Sequence, residues 1–165
     1  MKKEKTTEIS FKTASSKQDF KLAEKLFKSY EKSLDFKIDF QGFQEELENI
    51  NKIYAPPAGS IILAFHLDQP VGCIAVRKLE KEIGELKRMY VLPSYRKMNI
   101  GSKLLKLILE KSTELNYKKV RLDTLKRMNS AVKLYLSFGF YEIKSYRYNP
   151  MEDVLYMEKR IQKNE

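Results

Sequence analysis

The sequence predicts an α/β (α+β) fold, a mixed sheet of about seven strands with four helices in the order β-α-α-β-β-β-α-β-α-β-β. Three observations lead there. Apolar runs rich in β-branched and aromatic residues follow one another through the middle of the chain, at residues 61–67, 71–79 and 83–92. Apolar residues at helical spacing fill the segments on either side of them. Of the 165 residues, 42% are hydrophobic and 12% aromatic, which suits one buried core and argues against a disordered chain. One domain spanning residues 1–165 is expected, with its core between about residues 8 and 160.

The elements follow in order. Ile9, Phe11 and Thr13 alternate, so residues 8–13 read as a first strand. Ser16 and Asp19 have capping-box spacing, and Phe20, Ala23, Phe27, Tyr30 and Leu34 then mark one helical face. Phe40, Phe43, Leu47 and Ile50 mark a second helix, with Glu45, Glu46 and Glu48 expected toward solvent. Pro56, Pro57 and Gly59 end that pattern. The strands at 61–67 and 71–79 are joined by a short turn at Asp68, Gln69 and Pro70, and a further strand covers 83–92. Ile100, Leu104, Leu107 and Ile108 begin a third helix over 100–116, and a strand follows at 119–124. Ala131, Leu134, Tyr135 and Phe138 share a face of a fourth helix over 129–138, with Gly139 as its C-terminal cap. Residues 140–145 and 154–159 close the sheet around a turn at Asn149 and Pro150.

The segment Arg96-Lys97-Met98-Asn99-Ile100-Gly101 carries the most chemistry. It joins a strand to a helix. The first N–H groups of a helix have no partner within it, and they sit at the positive end of its dipole. Such a terminus is an anion site, and the Arg96 and Lys97 charges suit phosphate. Gly101 allows a ligand close to the backbone. Read alone, the segment is equally a basic loop capping a helix.

Two more segments decide between these readings. The strand Gly84-Glu85-Leu86-Lys87-Arg88-Met89-Tyr90-Val91 leads into the loop. Downstream, Asn129, Ala131, Leu134 and Tyr135 are followed by Gly139 and Phe140. The ordered set resembles the GNAT family of N-acetyltransferases. The family's loop signature, Arg/Gln-x-x-Gly-x-Gly/Ala, falls on Arg96, Asn99 and Gly101. Its later signature, Asn…Ala…Leu-Tyr-x-x-x-Gly-Phe, falls on Asn129, Ala131, Leu134, Tyr135, Gly139 and Phe140. Asn99 departs from the pattern where the family usually has glycine. Asn is the residue after Gly that best tolerates positive φ, so the turn can survive the change.

The resemblance implies helices on both faces of the sheet, acetyl-CoA as donor and an amine as acceptor. It implies that Arg96, Lys97, Met98, Asn99, Ile100, Gly101 and Ser102 cradle the pyrophosphate. The backbone of Met89, Tyr90 and Val91 would pair with the pantetheine arm, beside a β-bulge; Asn129 would hydrogen-bond that arm and Ala131 would contact it. A backbone N–H near Met89 or Tyr90 would stabilise the oxyanion. Glu85 is the implied general base; its other reading is a surface carboxylate paired with Lys87 or Arg88. Tyr135 is the implied acid for the departing thiolate; its other reading is a core aromatic. Asn129 can also be read as a helix N-cap. The acceptor site is expected near Tyr54, Arg77, Tyr146, Arg147, Tyr148 and Asn149. Arg77 could bind an acceptor carboxylate or be a solvated surface residue.

Composition narrows the remaining classes. The longest apolar run, residues 61–65, is too short to span a bilayer, and no apolar stretch follows the charged start, so neither a membrane span nor a signal peptide is expected. The one cysteine excludes an internal disulfide and a cysteine-based zinc site, and a cytoplasmic location is expected. Cys73 and the lone His66 sit in apolar strands, where structural roles and no metal are expected. The net charge of +10 raises a nucleic-acid-binding module as an alternative. The lysines are scattered among glutamates, with no basic block longer than two residues, so no nucleic-acid partner is expected. A domain that binds acyl-CoA without turnover is the other alternative. The acceptor could be a small molecule or a protein amine, and a homodimer through the late strands is left open.

Overall fold

The computed structural model describes residues 8–38 and 42–161. The chain runs β1 (Ile9–Thr13), α1 (Lys17–Ser33), α2 (Phe43–Glu48), α3 (Ile50–Ile53), β2 (Ser60–His66), β3 (Gln69–Glu80) and β4 (Ile83–Val91). A 3-10 turn (Pro93–Tyr95) leads to α4 (Ile100–Glu114), β5 (Lys119–Leu125), α5 (Asn129–Ser137), β6 (Tyr141–Ile143) and β7 (Val154–Arg160). The strands form one seven-stranded sheet in the order β1-β2-β3-β4-β5-β7-β6. Among the described residues only β4 and β5 pair in parallel, so the sheet is mixed as predicted.

Strand alternation divides the core in two. On β2, Ile61 and Leu63 face Ala23, Phe27 and Tyr54 on the α1–α3 side, while Ile62 and Ala64 face Leu104, Leu105 and Ile108 of α4. The sheet is thus covered on both faces, and β2 and β3 are near-continuously apolar because both of their sides are buried. Each large aliphatic side chain buried here contributes roughly 1.5–3 kcal/mol.

Local chemistry sets the boundaries. Ser16 Oγ accepts from Asp19 N at 3.1 Å and the Asp19 carboxylate accepts from Ser16 N at 3.1 Å, so the predicted capping box opens α1. The second predicted helix is two short ones. Asn49 leaves helical geometry at φ −114°, ψ 19°, and its side-chain amide donates to Glu45 O at 3.0 Å in competition with the backbone ladder. Phe40 lies outside the described residues. Glu46 does not face solvent as expected; it is buried, for a reason given below. β3 begins at Gln69, earlier than predicted, because the turn tightens onto Leu67 at φ 54°. Pro70 is accommodated where the β2–β3 register shifts, at Ala64/Phe65. Gly139 takes φ 89° just after α5, the left-handed conformation expected of it. Among the described residues no helix is long and apolar enough to cross a membrane.

Candidate active site

The site begins with a defect in β4. Tyr90 pairs with Cys73 and Lys87 with Ala75, so β4 carries one residue more than β3 across this interval. Arg88 absorbs the extra length at φ 60°, a conformation uncommon outside glycine. Its guanidinium is tied to Glu46 of α2 through Nε at 2.9 Å and Nη2 at 3.0 Å, and it lies over the Phe43 ring at 5.3 Å. Its carbonyl accepts from Cys73 Sγ at 3.2 Å. Glu46 is therefore an internal counter-ion, and its burial is the consequence. Burial opposes its ionisation, but the Arg88 guanidinium outweighs this and holds its pKa below the usual value.

The bulge opens the sheet. β4 and β5 pair only at Ile83, Gly84 and Glu85 with Lys119, Val120 and Arg121. Beyond that point the strands part. Leu86, Lys87, Arg88 and Met89 line one wall of the slot between them, and Leu122, Asp123 and Thr124 the other. Met128, Ala131 and Tyr135 close it from the α5 side and Tyr30 from α1. The bulge implied by the sequence is therefore present.

Tyr135 stands at this slot. Its ring packs edge-on against Phe140 with centroids 5.6 Å apart, and its hydroxyl donates to Met89 Sδ at 3.8 Å. The two readings made of it coexist: an aromatic ring in the core and a hydroxyl facing the slot. Burial raises its pKa, so it carries its proton at neutral pH. Asn129 is the exposed first residue of α5 rather than its cap, which is Met128.

The basic loop leads into α4 as the sequence implied. Lys97 and Asn99 both have positive φ, 66° and 60°, and Asn99 is the N-cap residue in left-handed geometry. Its side chain makes no capping hydrogen bond, and the first intrahelical bond runs from Lys103 N to Asn99 O at 3.1 Å. The N–H groups of Ile100, Gly101 and Ser102 thus lie at an uncapped terminus. A Cβ added at Gly101 would meet nothing nearer than Leu134 of α5 at 3.7 Å, so internal packing does not demand glycine there. Arg96, Lys97 and Met98 are exposed beside it. Arg96 Nε donates to Val91 O at 3.1 Å and its guanidinium lies 5.9 Å from the Tyr90 ring centroid.

Glu85 lies at the point where β4 and β5 part, and it is fully buried. It is not a surface carboxylate. It accepts from Tyr146 OH at 2.8 Å, Arg77 Nε at 3.2 Å and Arg147 at 3.2 Å, and Lys87 Nζ is 3.9 Å away. Arg88 points elsewhere, to Glu46. Asp123, across the gap on β5, accepts from Arg147 Nη2 at 2.7 Å and Asn149 Nδ2 at 3.1 Å. Burial works against its ionisation, yet Arg147 keeps its pKa lowered. The segment linking β6 to β7 is thereby strapped across both carboxylates.

Of the expected acceptor residues, Tyr146, Arg147 and Asn149 converge here. Arg77 joins them through Glu85, so it is not a solvated cation. Tyr148 is exposed, and Tyr54 is buried in the α1–α3 core at 0% exposure, away from this cluster. His66 accepts or donates at Tyr95 OH, 2.8 Å away, and Cys73 is buried with a raised pKa, in keeping with structural roles. Sequence reasoning missed Glu46, Lys87 and Asp123 as site residues. For Lys87 and Asp123 a signal existed, since charged residues in otherwise apolar strands rarely lie inward without a partner.

Residues 22–140 match the model of the Acetyltransferase (GNAT) family. An uncharacterized N-acetyltransferase of Schizosaccharomyces pombe is 34% identical over 161 residues, covering 96% of this chain and 99% of the relative. A GNAT-family acetyltransferase of Staphylococcus aureus superposes with a TM-score of 0.77 at 26% identity, covering 94% of this chain and 100% of the other. The chain belongs to the GNAT family of N-acetyltransferases.

Proposed function

We propose that the chain transfers an acetyl group from acetyl-CoA to a primary amine by direct transfer in a ternary complex. The observation that carries this reading is the slot: a strand pair that parts after three residue pairs, lined by the Tyr135 hydroxyl. Bound there, acetyl-CoA supplies an activated acetyl thioester. The residues present fit it. The uncapped N–H groups of Ile100, Gly101 and Ser102, with Arg96 and Lys97, suit a diphosphate, and the bare Cα of Gly101 lets it approach. Met98 and Asn99 complete that loop.

The remaining roles belong to the slot. The β4 edge at Met89, Tyr90 and Val91 offers backbone groups to an extended arm, flanked by Ala131 and Asn129. A backbone N–H at Met89 or Tyr90 donates to the carbonyl oxygen as it gains charge. Tyr135, protonated at neutral pH, gives its proton to the leaving sulfur. Glu85 serves as base. Arg77 and Arg147 clamp its carboxylate, so the Tyr146 hydroxyl is the partner that yields to an incoming amine or a water. Asn149 and Asp123 hold the strap that borders the acceptor.

Thiol release from acetyl-CoA across a panel of amino acids, polyamines and peptide amines tests the reading. Amine-dependent release, with protection of the fold against heat by CoA, is expected. No heat protection at saturating CoA would overturn it, and protection without release from any amine would leave only the binding domain.

A further inference from the structure

We propose that Lys87 is itself an acyl acceptor, so that the slot places an acetyl group on Lys87 Nζ and the chain modifies itself. This rests on the acetyl-CoA reading above.

Lys87 lies on β4 two residues beyond Glu85 and immediately before the bulge. It lines the slot in company with Met89 and Tyr135. Its side chain is only 3% exposed, so it is no surface lysine lying near a site by accident. The roles proposed for the acetyl-transfer step leave it unused.

Its surroundings favour the neutral amine. Among the described residues, Arg77 from β3, Arg88 on β4 and Arg147 from the β6–β7 strap oppose its charge. Glu85 on β4, Glu46 from α2 and Asp123 from β5 favour it. Burial first, then Arg88, bring its pKa from 10.5 down to about 7. A desolvated lysine beside other cations is an activated nucleophile. In the step, the Nζ lone pair forms the new C–N bond to the acyl carbon and the C–S bond breaks. The proton lost by Nζ balances the one gained by the thiolate through Tyr135. The products are Nε-acetyl-lysine and the CoA thiol, and no other reactant is needed.

The test is incubation of the full chain with acetyl-CoA and no added amine, followed by peptide mass mapping. Uncatalysed acetylation follows exposure, so it would reach exposed Lys106 and Lys133 first and Lys87 last. The expected result is the reverse: Lys87 gains one acetyl group before either, at a rate that rises with pH through about 7. Tyr135→Phe should slow labelling at Lys87 and leave Lys106 unchanged. Lys87 unmodified while CoA protects the fold against heat would overturn this inference alone. Lys87 labelled as fast in urea-unfolded chain as in folded chain would overturn it as well. Absence of heat protection by CoA would sink the parent reading and this inference with it.

Discussion

Glu46→Gln tests what holds the slot open. The substitution keeps the shape of the side chain and removes the charge that meets Arg88 at 2.9 and 3.0 Å. Side-chain exposure is 3% for Arg88 and 1% for Glu46, so water offers little relief. Removing one partner of a buried ion pair costs about 3–5 kcal/mol. At roughly 2–4 °C per kcal/mol for a chain of this size, the melting temperature should fall by roughly 6–20 °C. The chain has no tryptophan, so urea unfolding is best followed by far-ultraviolet circular dichroism. Replacing both residues with Met should return much of the loss, because an apolar pair of similar volume needs no counter-ion. CoA protection should weaken in the single variant, since Arg88 at φ 60° is the residue on which the bulge turns. A loss below about 1 kcal/mol, the range of an exposed pair, would refute the reasoning.

Three further outcomes follow from the same geometry. Tyr135→Phe should lower kcat by about 10²-fold or more, read by thiol release. Its stability should shift by less than about 1 kcal/mol, because the lost hydroxyl makes only a long contact to Met89 Sδ. Lys87→Met should change how stability depends on pH. The folded pKa of Lys87, about 7, lies below its ordinary 10.5, so folding expels a proton and wild-type stability rises with pH between those values. The variant should lack that rise and be the more stable of the two below pH 7, checked by urea titrations across the window. Asn99→Gly should leave stability within about 0.5 kcal/mol and CoA affinity unchanged, because Asn99 contributes φ 60° and no capping bond. Calorimetric titration with CoA checks it, and a large change in affinity would mean that the Asn99 side chain meets the ligand.

The fold was legible because its signals are local. Alternation at Ile9 and Phe11, the Ser16/Asp19 box, the Asn99 turn and Gly139 each act through a few neighbouring residues, and each stands where expected. The turn from the basic loop into α4 was legible for the same reason. The interior of the site was less so. Glu46 follows a solvent-like pattern in its own helix, and only Arg88, 42 residues away, makes it a core residue. Asp123 has an unremarkable place in β5 until Arg147 and Asn149 arrive from beyond β6. Tyr54 has the look of a ligand contact in sequence and is a core residue in space. Long-range ion pairs leave no periodic trace, so charge type alone could not place them.

That division explains how one strand can do several jobs. Up to Glu85, β4 is an ordinary parallel partner of β5, and Gly84 allows close packing: a Cβ there would lie 2.9 Å from atoms of Tyr117 and Val76. At Arg88 the backbone departs from sheet geometry, a cost of order 1–3 kcal/mol unless neighbours fix it. One neighbour that does so is α2, a six-residue helix too short to be stable alone, which brings Glu46 and Phe43 onto the same guanidinium. The strap from β6 to β7 makes a matching closure over Glu85 and Asp123 through Arg147. Two clamps, both arriving from distant sequence, thus border the opening between β4 and β5: one ties Arg88 to α2 and the other bridges Glu85 and Asp123. The bulge that opens the sheet is thus braced by ion pairs from outside β4, so a change in Glu46 or Arg147 should be felt at the slot even though neither is expected to touch the transferred group.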